Sequence, residues 1–304
     1  MAKRDWTRKF NPLILVIVAV LAVIAVVNAI RIGVGEDKKP APETVAVAAS
    51  SDYPLAVTFL DVGQGDAIVV RCEDTVLMID GGEREEADTV NRFLEARGIG
   101  NIDCYIASHP HSDHVGAAAG IFGRMNVKSV MLTEFSEINT PTTEAWERFL
   151  TAVDNENCTV LFAKAGESYT FGKLELTVVA PVEETADYND MSIVLLMTYG
   201  KNRFLFTGDA GKASEQLILD AGYDVDADVI KLGHHGSSSS TSPAFFEAVS
   251  PRLAVISCGR NNDFGHPHRE TLAMLKESGI PYYRTDLSGN ITVYGDGKDI
   301  YVKE

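Results

Sequence analysis

The sequence predicts an α/β fold in which layers of β-sheet are covered by helices on their outer faces. Short runs rich in Val, Ile, Leu and Phe recur from Leu55 onward, and Gly and Asp separate them. Helical patterns are interleaved with these runs in both halves of the chain. The sequence shows neither an internal repeat nor a further domain boundary after residue 55. Residues 54–304 are therefore expected to form one domain.

The predicted strands and helices follow one another along this domain. The strands are the runs LAVTFL, AIVVRC, TVLMID, DCYIAS, VKSVML, TVLFA, LELTVVA, SIVLLMTY, RFLFTG, DVIKL and RLAVIS. The helices cover residues 87–97, 143–153, 212–221, 243–249 and 269–278. Ser242 followed by Pro243 is typical of a helix start, in which serine caps the helix and proline takes its first position. Gly98, Gly222 and Gly279 have the position of a glycine that ends a helix.

The N-terminal 53 residues predict a membrane anchor and a linker. Residues 13–30 are apolar except for Asn28, a run long enough to cross a hydrocarbon core as a helix. Basic residues before the run favour residues 1–12 in the cytoplasm and everything after residue 31 outside. A cleaved signal peptide is the alternative, but the nearest small-x-small site, residues 46–48, lies well past the run. With residues 31–53 as a linker, we expect a single-pass protein of the cell membrane with an extracellular domain.

The domain that follows the anchor is strongly acidic. Residues 1–40 contain seven basic and three acidic side chains, which leaves 20 basic and 40 acidic residues and a formal charge of −20 for the rest. Such a domain repels polyanions at long range and lacks the basic surface of a high-affinity nucleic-acid binder. The composition therefore counts against nucleic acid as a substrate.

The strongest chemical signal is the hexapeptide HPHSDH, residues 109–114, which directly follows a predicted strand. Its potential metal ligands are His109, His111, Asp113 and His114. They need an irregular loop to converge, because a strand would direct neighbouring side chains to opposite faces. Imidazole and carboxylate ligands suit zinc, manganese or iron. A polar surface loop is the alternative, but it does not account for three of the seven histidines in one hexapeptide.

Other polar residues also follow apolar strand runs directly, among them Asp80, Asp209 and His234. Ligands gather at the carboxyl edge of the strands in layered α/β folds, where loops converge. The sequence therefore predicts that these residues and the hexapeptide meet at a single edge of the sheets.

The hexapeptide resembles the HxHxDH signature of the metallo-β-lactamase superfamily, whose αββα sandwich holds two metals at the edge of its sheets. Residues 204–209, FLFTGD, resemble the strand that ends in the superfamily's metal-bridging aspartate, and residues 77–82, LMIDGG, resemble its early strand-end aspartate. Further segments resemble the extracellular hydrolase domain of ComEC, a family of DNA-uptake channel proteins; these are residues 59–67, 189–192, 234–237 and 265–268. The resemblance spans residues 55–302. It does not include the multi-helix membrane channel of the ComEC proteins.

The resemblance implies two divalent metal ions, zinc or manganese, but one usual ligand is missing. No histidine lies between His114 and Asp209, where the superfamily has the third histidine of its first site. The expected ligands are His109, His111 and His234 for one metal, Asp113, His114 and His266 for the other, and Asp209 as the bridge. The alternatives for the missing ligand are His235, His268, Asn189, Asp190 and water.

Three residues are expected to act in catalysis or to support it: Asp209, His235 and Asp80. Neighbouring side chains diverge, so only one of His234 and His235 is expected to bind an ion, and the sequence does not choose between them. The other would contact a phosphate oxygen or protonate the leaving group. Asp80 is expected to orient a metal-binding histidine or its loop, with a simple turn before Gly81 as the alternative.

The predicted function is that of a membrane-anchored extracellular two-metal hydrolase. Two adjacent metals generate a nucleophile at neutral pH and neutralise a phosphate, which suits a phosphodiesterase or nuclease related to DNA uptake. The expected partners are the membrane, through the N-terminal helix, and single-stranded DNA or another phosphodiester. One alternative is a phosphoesterase that acts on a cell-wall polymer or small phosphodiester, as in the related teichoic-acid phosphorylcholine esterases. Another is a non-catalytic component of a DNA-uptake complex.

Overall fold

The structure is a computed structural model and describes residues 53–302. The predicted N-terminus, membrane anchor and nearly all of the predicted linker lie outside the described residues. Within residues 53–302, no helix is long and apolar enough to span a membrane.

The strands of the described region are short, and most coincide with the apolar runs of the sequence. They are β1 (Leu55–Phe59), β2 (Ile68–Cys72), β3 (Thr75–Ile79), β4 (Asn101–Ile102), β5 (Cys104–Ile106), β6 (Asn126–Val127), β7 (Ser129–Leu132), β8 (Thr159–Phe162), β9 (Ser168–Phe171), β10 (Leu174–Ala180), β11 (Val194–Tyr199), β12 (Asn202–Phe206), β13 (Val229–Lys231), β14 (Leu253–Ile256), β15 (Tyr282–Arg284), β16 (Ile291–Gly295) and β17 (Ile300–Val302).

The five helices predicted from the sequence are confirmed, and the described region also contains three shorter helices. They are α1 (Ala87–Glu95), α2 (Ser112–Val115), α3 (Ala118–Phe122), α4 (Glu144–Glu156), α5 (Lys212–Asp220), α6 (Pro243–Val249), α7 (Arg269–Ser278) and α8 (Thr285–Ser288). The Ser242 hydroxyl accepts a hydrogen bond from the Phe245 backbone N–H at 3.3 Å, which confirms the predicted cap of α6. The three short helices were not predicted, because four or five residues are too few to show a helical period.

Two large sheets form the centre of the domain. Their strand orders are β17-β16-β1-β2-β3-β5-β7-β8 and β15-β14-β13-β12-β11-β10-β9. β3, β5, β7 and β8 run parallel in the first sheet, and β12 to β15 run parallel in the second. In each group the carboxyl ends of the strands therefore lie at one edge of the sheet.

The apolar side chains form three cores that separate four layers. Along β3, Leu77 and Ile79 belong to the core between the two sheets, whereas Met78 belongs to the core under α1, α3 and α4. This alternation follows from the two-residue period of a strand. A third core packs α5, α6 and α7 on the outer face of the second sheet. The predicted order helix, sheet, sheet, helix is thus confirmed.

Candidate metal centre

The predicted site residues follow strands whose carboxyl ends lie at the same edge. Asp80 comes directly after β3, and His109 follows β5 in the first sheet. Asp209 follows β12, and His234 and His235 follow β13, in the second sheet. The hexapeptide divides between a loop, which contains His109 to His111, and the first turn of α2. The loops of the two sheets therefore meet, as the sequence predicts.

One group of four residues can hold a cation: Asp113, His114, Asp209 and His235 each offer a ligand atom within 4.8 Å of the others. His235 Nε2 lies 3.2 Å from Asp113 Oδ2 and 3.4 Å from Asp209 Oδ2, and His114 Nε2 lies 3.4 Å from Asp209 Oδ1. Among the described atoms, His114 Nε2, His235 Nε2 and Asp209 Oδ1 are buried and have no hydrogen-bond partner. Buried polar atoms are otherwise almost always partnered, so these residues fit a divalent cation.

A second group of histidines also lies near the Asp209 carboxylate. His109 Nε2 is 3.0 Å from His111 Nδ1 and 4.0 Å from Asp209 Oδ2. His234 Nε2 lies 3.6 Å from the same Asp209 oxygen. Asp209 thus lies within 4.0 Å of histidines from both groups, as a bridging carboxylate would. His234 is placed where it can supply the ligand that the sequence lacks between His114 and Asp209.

Asp80 is held behind this centre rather than in it. It is fully buried, and its Oδ2 lies 2.8 Å from His114 Nδ1. The backbone N–H of Ser108 donates to Asp80 Oδ1 at 2.8 Å, and the Ser108 hydroxyl donates to Oδ2 at 2.6 Å. Asp80 therefore orients the His114 ring so that Nε2 faces the cation group, which is a positioning role and not a direct catalytic one.

A model of the metallo-β-lactamase superfamily matches residues 60–260 of this chain. The chain belongs to the metallo-β-lactamase superfamily. Solved structures agree on the fold: the chain superposes on the metallo-β-lactamase fold protein YhfI of Bacillus subtilis with a TM-score of 0.53 at 11% identity, covering 82% of this chain and 100% of that one. The diiron β-hydroxylase CmlA of Streptomyces venezuelae gives 0.54 at 14% identity, with 81% and 55% covered. At such identities the likeness shows the fold alone.

Sequence relatives of this superfamily member include proteins named for competence. The chain is 31% identical over 254 residues to ComE operon protein 3 of Bacillus subtilis, covering 77% of this chain and 32% of that protein. It is also 31% identical over 239 residues to Competence protein ComA of Neisseria gonorrhoeae, covering 77% and 31%. The chain spans about a third of the length of these curated relatives. The resemblance to ComEC-type competence proteins is confirmed.

The two histidines whose roles the sequence left open differ in the structure. His235 is buried within the four-residue group, and its Nδ1 donates to the Ser257 carbonyl at 3.0 Å, which fixes the ring. Both His234 and His235 adopt positive φ angles, 49° and 55°, so their side chains leave the chain in separate directions. His235, and not the expected His266, is the histidine that joins Asp113, His114 and Asp209 in the four-residue group. His266 lies next to the pair, with its ring centroid 5.4 Å from that of His234 and 6.2 Å from that of His235.

A buried lysine beneath the centre was missed by the sequence reasoning. Lys231, the last residue of β13, is 1% exposed, and its Nζ lies 2.5 Å from Asp66 Oδ2. It also donates to the Gly208 carbonyl at 3.1 Å, next to the candidate bridging residue Asp209. Burial would lower the pKa of Lys231, but Asp66 and Asp209 raise it, so the side chain stays an ammonium. The available signal was a lysine inside the apolar run DVIKL, because lysine is rarely buried unless paired.

Charges within the four-residue group shift the pKa values of its members in opposite directions. Burial would raise the pKa of Asp209, but His235 and His114 hold it well below its usual range. Burial would lower the pKa of His114, yet Asp209, Asp113 and Asp80 raise it well above the ordinary value. The pKa of His235 rises to about 9 against the same burial effect, chiefly through Asp209 and Asp113. The carboxylates of the group therefore favour the protonated forms of His114 and His235, and these imidazoles in turn favour the charged form of Asp209.

This balance predicts that cation binding releases protons. We expect about two protons per chain to leave when divalent cations bind at neutral pH, because His114 and His235 must be neutral to act as ligands. Calorimetric titrations in buffers of different ionisation enthalpy measure that number. Cation affinity should increase as the pH rises through about 9, the pKa of His235. An affinity that is independent of pH, with no proton released, would contradict the assignment.

Proposed function

We propose that this chain is a cell-surface, metal-dependent phosphodiesterase that cleaves single-stranded DNA during DNA uptake. The observation that carries the proposal is the meeting of two sets of ligand atoms at Asp209, in a chain similar to competence proteins. Anchoring through residues 13–30, with the domain outside the cell, is part of the proposal and rests on the sequence pattern.

In this proposal the two groups of residues hold one cation each. His109, His111 and His234 would hold the first, Asp113, His114 and His235 the second, and Asp209 would contact both. Two divalent cations in such a site supply a nucleophile at neutral pH and neutralise phosphate charge. The role of the protein is to fix the ligands: Asp80 orients His114, and the Ser257 carbonyl orients His235.

His266 remains available to the substrate in this arrangement. Its Nδ1 is buried and lacks a hydrogen-bond partner among the described residues. Burial and, after it, the neighbouring His235, His234 and His268 lower the pKa of His266 to about 4. The ring is therefore neutral at pH 7, and we assign it the role of a hydrogen-bonding contact to a phosphate oxygen rather than that of a proton donor.

The formal charge of −20 outside residues 1–40 favours a second candidate function. Long-range repulsion slows the approach of DNA, whereas a small phosphodiester or a less densely charged wall polymer would be repelled less. The second candidate is therefore a phosphoesterase that acts on such a substrate with the same cations and ligands.

A substrate panel separates these functions. The full chain is purified, stripped with a chelator and reloaded with manganese or zinc, and bound metal is measured. It is then offered a single-stranded oligonucleotide, bis-p-nitrophenyl phosphate and a glycerol phosphate polymer. We expect cleavage of the oligonucleotide that disappears with the chelator and returns with the metal. Cleavage of only the polymer would favour the second candidate, and no turnover by metal-loaded protein would favour a non-catalytic component.

A further inference from the structure

An exposed aromatic ring stands beside the proposed metal ligands. Phe264, in the loop between β14 and α7, is 65% exposed. Its ring is stacked on that of His266, with centroids 5.6 Å apart and an interplanar angle of 20°. The ring of His266 in turn lies 5.4 Å from that of His234. Two ring contacts therefore lead from the solvent-facing Phe264 to the candidate metal centre.

The loop holds Phe264 in a defined position. The Asn262 side chain donates to the carbonyls of Gly259 and His266, at 2.9 and 2.6 Å, and accepts from the backbone N–H of His266 at 2.9 Å. His268 Nε2 donates to the Phe264 carbonyl at 3.2 Å. Single exposed apolar residues are common on protein surfaces, but this ring is fixed flat on a site residue instead of lying on a loose turn.

A second aromatic ring, that of Tyr188, lies near another proposed metal ligand, His111. The ring centroid of Tyr188 lies 6.2 Å from that of His111 at an interplanar angle of 76°. Tyr188 also packs edge-on against Phe135, with ring centroids 5.8 Å apart. Two aromatic rings therefore lie near the histidines that would hold the first cation, Phe264 through His266 and Tyr188 beside His111.

We propose that Phe264 is a stacking platform for a nucleobase adjacent to the scissile phosphate, so that the substrate is a single-stranded nucleic acid. The inference rests on the proposed phosphodiesterase function and names the residue that would select a substrate with bases. Aromatic rings bind successive bases of single strands without regard to sequence, since every base has a flat face. Stacking also requires no positive surface, which suits a domain of formal charge −20. A polymer without bases would gain nothing from this ring.

The test compares two oligomers of equal length and charge, an oligothymidylate and the same backbone without bases. The quantity measured on the manganese-loaded full chain is the kcat/KM for the thymidylate divided by the kcat/KM for the abasic oligomer. Phe264→Ala is expected to lower this ratio about 5- to 150-fold, the range for the loss of one base stack. Phe264→Trp should keep the ratio, because it retains a flat aromatic face. Phe264→Leu should lower the ratio as Phe264→Ala does, because leucine retains apolar surface but has no flat ring on which a base can stack.

Tyr301→Ala is the matched control. Tyr301 is an exposed aromatic residue on β17, at the far edge of the first sheet from β5, and its loss should leave the ratio unchanged. An unchanged ratio in Phe264→Ala would overturn the stacking role. If the wild-type chain cleaves neither oligomer, the proposed phosphodiesterase function fails. Fluorescence anisotropy of labelled oligothymidylate then still decides the inference: weaker binding by Phe264→Ala supports it, and equal binding contradicts it.

Discussion

Asp209→Asn should lower phosphodiester hydrolysis roughly a thousandfold, the upper range for removing one charge-stabilising group from an active site. The asparagine keeps the shape of the side chain but removes the negative charge that faces both sets of histidines. In the structure, Asp209 Oδ1 lies 3.4 Å from His114 Nε2, and Oδ2 lies 3.4 and 3.6 Å from the Nε2 atoms of His235 and His234. No other described carboxylate has contacts to both groups, so we expect the effect to exceed that of any single histidine substitution.

Bound metal and turnover are measured together for this variant. We expect fewer than two cations per chain, and the loss of activity should persist when manganese is raised, because the missing charge is not restored by mass action alone. Asp226→Asn is the control, since Asp226 is an exposed carboxylate whose ion-pair partner among the described residues is Arg203 on β12. Full activity in Asp209→Asn with a normal metal content would remove Asp209 from the site and with it the two-metal proposal.

The position of the site could be predicted from the sequence because it depends on topology. Asp80, His109 and Asp209 each follow an apolar strand run, and parallel strands bring their carboxyl ends to one edge. The helix boundaries at Ser242 and Gly279 could also be predicted, since a cap and a left-handed glycine are local features. The positions of these residues and helix ends follow from local sequence patterns, which is why the sequence predicts them.

The detailed ligand set could not be predicted, because it depends on backbone angles and long-range contacts. His235 joins Asp113 only because two successive residues adopt positive φ angles after β13, which non-glycine residues rarely do. His266 was expected in that place as one of the four histidines that follow Asp209 in the sequence. Lys231 was missed for a related reason: a single lysine at the end of a strand usually reaches solvent, and only the tertiary structure reveals the carboxylate of Asp66 beside it.

Lys231→Met should reduce the free energy of unfolding by about 3–5 kcal/mol, the usual cost of leaving one partner of a buried ion pair alone. Methionine fills a similar volume, so the loss reports on charge rather than on a cavity. Asp66 is 1% exposed, and the ammonium of Lys231 at 2.5 Å is the described cation nearest to it. Without that ammonium, only the imidazoles of His235 and His114, at the longer distances of 3.6 and 3.9 Å, remain to offset the burial of the Asp66 carboxylate.

Urea unfolding of the chelator-treated full chain measures this loss without the added stabilisation from bound metal. Asp66→Asn alone should also destabilise the fold, because it leaves the ammonium without its carboxylate. The double variant Asp66→Asn/Lys231→Met removes both charges and should recover much of the stability, since neutral replacements of a buried pair are often tolerated. If Lys231→Met costs less than about 1 kcal/mol, the neighbouring imidazoles of His235 and His114 are enough to compensate the Asp66 carboxylate. The close contact between Lys231 and Asp66 would then not be needed to hold the Gly208–Asp209 turn against the histidines.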